Sequence, residues 1–419
     1  MNVILKRRVV ITGLGALTDV GHDVPSTWDS LLAGRSGIRT VAVFENDDQW
    51  STSIAGEVRD WDPTSVIERR DLKRLDRVSQ LGLYAAIEAT NDSQIDFTSG
   101  DPYRRGVVIG SGVGGIQTVE QADYKIFTVG PRKVGPFTVP KLMVNALAGN
   151  TSIRFNLRGV NNAPATACAT GAHALGIAYR HIERGDAEVI LAGGAEAAVC
   201  PLCMASFSSM KALSTRNDEP MKASRPFDRD RDGFVLAEGA AILVLEELEH
   251  AKARGATIYA EILGYGCTGD AGHMAAPDPQ GMGAQKAMEF AIRDAGLNLD
   301  QIDFINAHGT STPLGDAAEV LAVKNLFGEH ASKLAMCSTK SMTGHTLGAA
   351  GGLESLAVVL CLLHGVMTPT INLDNPDEGF DLDFVAHEAR EKKLHYALNN
   401  SFGFGGHNVS LCFGRYRGD

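Results

Sequence analysis

The sequence predicts an internally duplicated α/β protein, and three observations carry that prediction. Short apolar runs that end in glycine turns recur along the chain, and amphipathic helical patterns separate them on both sides of about residue 255. The order of strands and helices after that point resembles the order before it. No linker, low-complexity run or heptad array divides the two stretches. They read as one unit, with residues 1–255 as its first half and 256–419 as its second, built on two parallel-rich sheets.

Taken in order, RVVITGLG (8–15) reads as a buried strand ending in a glycine turn, followed by a helix from Val24 to Gly34. The segment 65–90 reads as helical and opens on a basic turn with Arg69, Arg70, Lys73, Arg74 and Arg77. RRGVVIGSGVGG (104–115) is a strand with a glycine-rich exit, and FTVPKLMVNALAGNTSIRFNL a helix followed by strand or turn. AEVILAGGAE (187–196) is a buried strand, and GAAILVLEELEHAKARG (239–255) closes the half with a strand and a helix. The second half runs IYAEILGYGC (strand), GAQKAMEFAIRDAG (amphipathic helix), IDFINAHG (strand), DAAEVLAVKNLFG (helix) and KLAMCSTK (strand). A glycine-rich apolar helix and the strand YALNNSFGFGG follow.

Composition narrows the function classes. A chain of 419 residues with 44% hydrophobic side chains and 46 glycines buries a large core with many tight turns. A formal charge of −11 argues against a dedicated nucleic-acid binder. MNVILKRRVVITGLG runs straight into a strand without an Arg-rich or apolar leader, so a cytoplasmic protein is expected. The segment LGAAGGLESLAVVLCLLHG is interrupted by Glu354 and reads as a buried helix, not a membrane span. Seven scattered cysteines suit a reducing compartment. Cys200 and Cys203 form a CxxC with no second ligand pair nearby, and read as core. TGLGA (12–16) and GSGVGG (110–115) lack the frame and acidic partner of a dinucleotide loop. DRDRDG (228–233) imitates a calcium loop but has Gly239 at the twelfth position and two arginines inside, so it reads as a solvated charged loop with local ion pairs.

The chemistry gathers around NNAPATACATGAHALG (161–176). A small-residue approach delivers Cys168 to the start of a helix whose apolar face carries Ala172, Leu175, Ala178, Tyr179 and Ile182. The free N–H groups and positive dipole end there favour thiolate over thiol, so the position suits a nucleophile with a lowered pKa; the alternative is a packed core thiol. In the second half His308 (INAHGTSTPLGD) and His345 (STKSMTGHTLGAAGG) each follow a strand at a glycine-rich turn, the usual place for active groups in open α/β sheets. Lys340 lies five residues before His345, and glycines flank Phe404 in NNSFGFGGHN, where backbone can approach a reacting carbonyl.

In that order and spacing, ACATGAHALG, NAHGTSTPLGD, KSMTGHTLGAAGG and NSFGFGG resemble the β-ketoacyl-acyl-carrier-protein synthases, closest to the type II condensing enzymes. The likeness covers essentially the whole chain, including STRNDEP and SRPFDRDRDGFVLAEGA. It implies the thiolase-like fold, five layers in the order α-β-α-β-α, internally duplicated, and usually a homodimer. It implies Cys168 as the acyl-accepting nucleophile, and His308 and His345 as the pair that stabilises the enolate left when malonyl loses carbon dioxide. Lys340 resembles the lysine that supports the pair, with Glu354 as its acid partner. The N–H groups of Cys168 and Phe404 correspond to the oxyanion hole, and Phe404 also to a gate between the two substrates. Thr310 and Thr312 match threonines that contact the phosphopantetheine arm; Val113 and Phe207 match acyl-pocket residues. The resemblance implies no cofactor or metal, because the substrates arrive on the phosphopantetheine of an acyl carrier protein. It places the basic set Arg69, Arg70, Lys73, Arg74, Arg132, Lys133 and Lys211 at the carrier-docking surface; the alternative is a solvated helix face paired with Asp71 and Asp76.

Two departures stand out: His407, where many type II relatives have threonine, and Ala275, which replaces a threonine near the arm. The reaction expected is decarboxylative condensation of an acyl-enzyme with malonyl carrier in fatty acid synthesis. A ketosynthase of a polyketide or specialised lipid pathway is the alternative. Non-catalytic chain-length partner subunits replace the nucleophile, whereas Cys168 is present; thiolases use a second cysteine in a CxG setting near the C-terminus, where this chain offers NSFGFGGHN, with Cys412 in a strand-like VSLCFG.

Overall fold

The computed structural model describes residues 6–418. Its ten principal strands are Val9–Leu17 (β1), Arg105–Gly110 (β2), Asn161–Asn162 (β3), Val189–Glu196 (β4), Gly239–Glu247 (β5), Ala260–Gly269 (β6), Phe304–Asn306 (β7), Ala335–Cys337 (β8), Tyr396–Gly403 (β9) and His407–Gly414 (β10). They lie in the order β8-β7-β9-β10-β6-β1-β5-β4-β2-β3. Counted within its own half, each set of five strands has the same spatial order, third-second-fourth-fifth-first. The hydrogen-bonding sense repeats as well. β2 is parallel to β3 and β4, while β5 is antiparallel to β4 and β1; likewise β7 is parallel to β8 and β9, while β10 is antiparallel to β9 and β6. The halves join edge to edge, where Val9–Ile11 of β1 pairs with 260–262 of β6.

The principal helices are Arg77–Ser93 (α1), Ile116–Thr128 (α2), Thr170–Glu183 (α3), Pro201–Ser209 (α4), Met282–Asp294 (α5), Pro313–Phe327 (α6) and Ala350–His364 (α7). α3 and α7 form the middle layer and touch strands of both halves; α1 covers the outer face of the first half, and α5 the outer face of the second. Each layer boundary has its own apolar cluster. Leu175, Ile182, Leu353 and Leu356 lie in the middle one, Leu81, Val107 and Ile242 in the first outer one, and Met288, Ile305 and Leu398 in the second. This is the five-layered, duplicated thiolase-like arrangement.

The middle helices approach backbone to backbone because small residues meet at the crossing. A Cβ on Gly171 would lie 2.7 Å from the N of Gly352, and one on Gly351 would lie 2.4 Å from the N of Ala172. Both helices begin the same way, with a 3-10 turn whose first residue is left-handed. Ala167 (φ 50°) opens Ala167–Ala169 before α3, and Leu347 (φ 45°) opens Leu347–Ala349 before α7. A non-glycine residue there costs of order 1–3 kcal/mol and persists because its surroundings over-determine it. The crossing therefore brings the turn carrying Cys168 beside the turn that follows His345.

Some local readings change. The stretch 65–90 is not one helix: Arg69–Leu72 is a separate turn of helix, and α1 starts at Arg77 with Asp76 as its cap. FTVPKLMVNALAGNTSIRFNL gives two helices, Thr138–Leu142 and Ala146–Phe155, and no strand. The hairpin Ile38–Thr40 with Ile54–Gly56 is an element the apolar pattern does not reveal. DRDRDG is only half solvated: Arg229, Asp230 and Asp232 are exposed, whereas Asp228 is buried, pairs with Arg225 at 2.9 Å and accepts from the N–H groups of Asp374 and Asn375. Leu347–His364 is long and apolar enough to cross a membrane, yet 89% of it is buried inside the fold, as the core-helix reading requires.

Candidate active site

Cys168 sits in the turn before α3 and is buried. His308 follows β7, and His345 follows the short helix Lys340–Thr343. Ligand atoms of Cys168, His308 and His345 all lie within 4.8 Å of one another. The two imidazoles meet edge to face, with centroids 5.4 Å apart and planes at 82°. A sulfur and two imidazoles are also donors that bind zinc. An ion held there would occupy the sulfur, so the set suits a nucleophilic centre better than a metal centre.

The backbone N–H groups of Phe404 and Cys168 lie on the sulfur's side of the turn and pull the Cys168 thiol pKa down. This is possible because β9 runs close to the turn before α3: a Cβ on Gly403 would lie 2.6 Å from the Thr166 carbonyl oxygen and 3.2 Å from the Cys168 N. Any larger residue would push Phe404 outward. Two N–H donors converging at a nucleophile make an oxyanion hole.

Charge is distributed so that the imidazoles stay neutral. Burial first, then the Lys340 ammonium, holds His308 and His345 well below the ordinary histidine range; for His308 the other ring adds to the effect. Their Nδ1 atoms are buried and unpartnered. Lys340 donates to the carbonyl of His308 at 2.6 Å and forms a very short ion pair with Glu354. Burial pushes the Glu354 carboxyl up to about 7 against the pull of Lys340. The expectation of a depressed Cys168 pKa is corrected. Burial pushes the thiol up to about 12 and outweighs Lys340 and the two N–H groups that pull it down.

Three buried carboxyls that the sequence reading missed hold the loops in place. Glu319 accepts from the N–H groups of His308 (2.9 Å) and Gly309 (2.8 Å), and from Asn400 (3.1 Å). Glu196 accepts from Ser111, from Gly112 N at 2.7 Å and from Gly348 N at 3.0 Å, tying the turns of the two halves together. Asp316 accepts from the N–H groups of Phe227 and Ser311. The available signal was an acid inside an otherwise apolar pattern, as in DAAEVLAVKNLF and ILAGGAE.

A cavity of about 580 Å³ leads from Cys168, His308, His345 and Phe404 to the surface. Val113, Phe207, Thr310, Thr312, Lys211 and Ala275 also line it. Thr310 and Thr312 hydroxyls are 3.0 Å apart, and Thr312 also caps α6. The Phe207 ring lies 6.5 Å from that of Phe404. His407 faces the His173 ring instead, at 6.2 Å. Of the basic set, Lys211 stands at the cavity. Arg74 lies over the Phe137 ring at 5.3 Å, which links the 69–74 turn to the segment after Arg132 and Lys133. Arg70 pairs with Glu68, and Arg70 and Arg74 both approach Asp71, whereas Asp76 bonds Thr118 instead.

The family profile described as Beta-ketoacyl synthase, N-terminal domain, matches residues 6–251, and that of the C-terminal domain matches residues 259–374. Among relatives, 3-oxoacyl-[acyl-carrier-protein] synthase 2 of Vibrio harveyi is 53% identical over 97% of this chain and 98% of its own length. Its namesake from Synechocystis is 46% identical over 98% and 99%. Among solved structures, a beta-ketoacyl synthase from Burkholderia phymatum superposes with a TM-score of 0.89 at 37% identity, covering 98% of this chain and all of that one. A type II PKS ketosynthase, solved with its acyl-carrier protein and bound to the hexaketide, gives 0.92 at 33% identity, over 98% of this chain and all of that one.

Proposed function

This chain belongs to the beta-ketoacyl synthase family, and from that membership we propose how its own residues perform the reaction. The protein is an acyltransferase of fatty acid biosynthesis. It joins an acyl group held as a thioester to malonyl-acyl-carrier protein, giving 3-oxoacyl-carrier protein and carbon dioxide. The observation that carries the residue assignment is the convergence of one sulfur and two imidazoles within 4.8 Å, under two N–H groups.

Cys168 is the nucleophile. Its sulfur attacks the incoming acyl thioester, and its proton leaves with the departing carrier thiol. The carbonyl oxygen becomes an oxyanion between the N–H groups of Cys168 and Phe404; losing one such donor costs about 3–4 kcal/mol of barrier. Malonyl carrier then enters and loses carbon dioxide. Negative charge develops on its thioester oxygen, where neutral His308 and His345 donate N–H groups. The enolate carbon attacks the acyl-Cys168 carbonyl, and collapse expels the sulfur as a thiolate, which takes up a proton from solvent to restore the resting thiol. Lys340 and Glu354 are positioning residues: Lys340 anchors the His308 backbone and keeps positive charge near the developing anion. Thr310 and Thr312 line the arm's route, and Val113 and Phe207 the acyl pocket. No metal or cofactor is required by these steps. Incubation with acyl-carrier protein followed by peptide mapping should place one acyl group on Cys168 and none on the Cys168→Ala variant. A clean Cys168 peptide, or an adduct elsewhere, would sink the assignment.

The carrier docks on the basic set Arg69, Arg70, Lys73, Arg74, Arg132, Lys133 and Lys211. Exposed cations on a chain of net charge −11 give an acidic carrier a local landing place. Reversing Arg69 and Arg70 to Glu is expected to raise KM for carrier-bound substrates while sparing acylation by small thioesters. Equal losses with both would refute docking there.

The protein is a homodimer in a cytosolic setting. Tyr124, Phe127 and Val129 at the end of α2 are exposed, as are Phe137 and Val139 just beyond. The sheet ends on the exposed strand β3, whose outer edge is unpaired. Exposed apolar side chains and an unpaired strand edge are each the kind of surface a two-fold partner covers. The free thiols suit a reducing compartment.

A further inference from the structure

A second cavity, of about 310 Å³, opens between the end of α1 and the short helix Leu248–Ala253, and it shares no residue with the catalytic cavity. The charged and titratable side chains on its wall are Asp92, Asp96, Arg105, His250 and Arg254. Four of these have partners. Arg254 donates twice to Glu246 and once to the Ser93 carbonyl, each at 2.7 Å, and His250 pairs with the same Glu246 through Nδ1. Asp92 accepts from Leu14 N and from the Tyr259 hydroxyl, and Asp96 from the N–H and hydroxyl of Thr98.

Arg105 is the exception. It opens β2 on the same face as Val107 and Ile109, which pack into the first outer apolar cluster, and it is only 8% exposed. Its guanidinium lies over the Phe97 ring at 5.4 Å. That contact covers a face of the group and leaves the N–H donors, which radiate in its plane. Nη1 is buried without a hydrogen-bond partner, and among the described residues no carboxylate lies within ion-pair distance of the guanidinium. The Arg105 charge is felt at the Asp96 carboxyl, whose bonds nevertheless go to Thr98. Gly100 makes room for the group: its φ is 76°, and a Cβ there would lie 2.8 Å from Nη2.

Two other buried arginines show the contrast. Arg225 and Arg231 have carboxylates at 2.9 and 2.7 Å. Burying a cation without such a partner is costly, and a partner entering from the cavity removes that cost. Packing on Phe97 accounts for a flat side chain at this position, but not for a charged fork beside a cavity with no acceptor.

We infer that this cavity binds a small hydroxycarboxylate. The planar guanidinium matches a carboxylate with two parallel hydrogen bonds. Asp92 and Asp96 on the same wall repel a second negative charge, which disfavours a dianion, and their oxygens accept the ligand's hydroxyl.

The test is saturation-transfer NMR on the intact protein, with lactate as the probe. Wild-type protein is expected to give a saturable lactate signal that acetate displaces weakly and sulfate, a dianion, does not. Arg105→Met should weaken lactate binding at least about tenfold and leave condensing activity unchanged. Arg105→Lys keeps a charge without the fork and should also bind more weakly; it decides the matter should the methionine variant fold poorly. The inference is overturned if wild-type protein gives no lactate signal, if a folded Arg105 variant binds lactate as tightly as wild type, or if sulfate displaces it.

Discussion

Alkylation of Cys168 by iodoacetamide should accelerate about tenfold for each unit of pH between about 7 and 9, with no plateau. Only the thiolate reacts, and with the thiol pushed up to about 12 its thiolate fraction is small and grows in proportion to hydroxide across that range. A cysteine activated by a helix start alone would instead saturate near neutrality. The measurement is a pH series of alkylation rates read on the Cys168 peptide, with exposed Cys267 as the internal reference. A plateau below pH 8 would mean that the N–H groups and Lys340 outweigh burial. The consequence for the enzyme is that sulfur becomes nucleophilic as its proton leaves, inside the complex with a thioester. A resting thiol that is mostly protonated is protected from chance electrophiles.

Lys340→Met is expected to destabilise the protein by about 3–5 kcal/mol and to remove condensing activity. Lys340 and Glu354 are each about 98% buried. Removing one partner of a buried pair leaves the other uncompensated, which is the source of that cost. Lys340 also donates to the carbonyl of His308, so the backbone that carries this imidazole loses its anchor. Denaturant midpoints of Lys340→Met and of the double variant Lys340→Met/Glu354→Gln separate the two contributions. The double variant should recover a large part of the stability, because its buried carboxyl has become neutral, and recover none of the activity. Stability within 1 kcal/mol of wild type for Lys340→Met would show that the pair contributes little. Recovery of activity in the double variant would show that Lys340 acts only by balancing Glu354.

The residues that do chemistry were legible because each stands in a glycine-rich turn, His308 and Phe404 directly after strands, Cys168 at a helix start and His345 after a short helix, and because one cysteine and two histidines recur in such places together. The structure gathers Cys168, His308, His345 and Phe404 around one cavity. The strand-helix alternation was legible from apolar periodicity. Strand order was not, because pairings such as β1 with β5 and β9 with β7 connect residues far apart in sequence and leave no local trace. Glu196, Glu319 and Asp316 were invisible for a different reason. An acid in a sequence looks solvated, and only coordinates reveal loop N–H groups turned toward it. The thiol pKa was misjudged because a helix start is a local feature, whereas desolvation is set by the whole fold.

The crossing of α3 and α7 has a bearing on the order in which this polypeptide is made. Cys168 leaves the ribosome long before His308, His345 and Phe404, and the set of groups that shapes its reactivity is incomplete until β9 and Phe404 have been synthesised. A nascent chain therefore carries an inert sulfur for most of its synthesis. Thioester chemistry switches on when the two final strands, β9 and β10, take their places in the sheet.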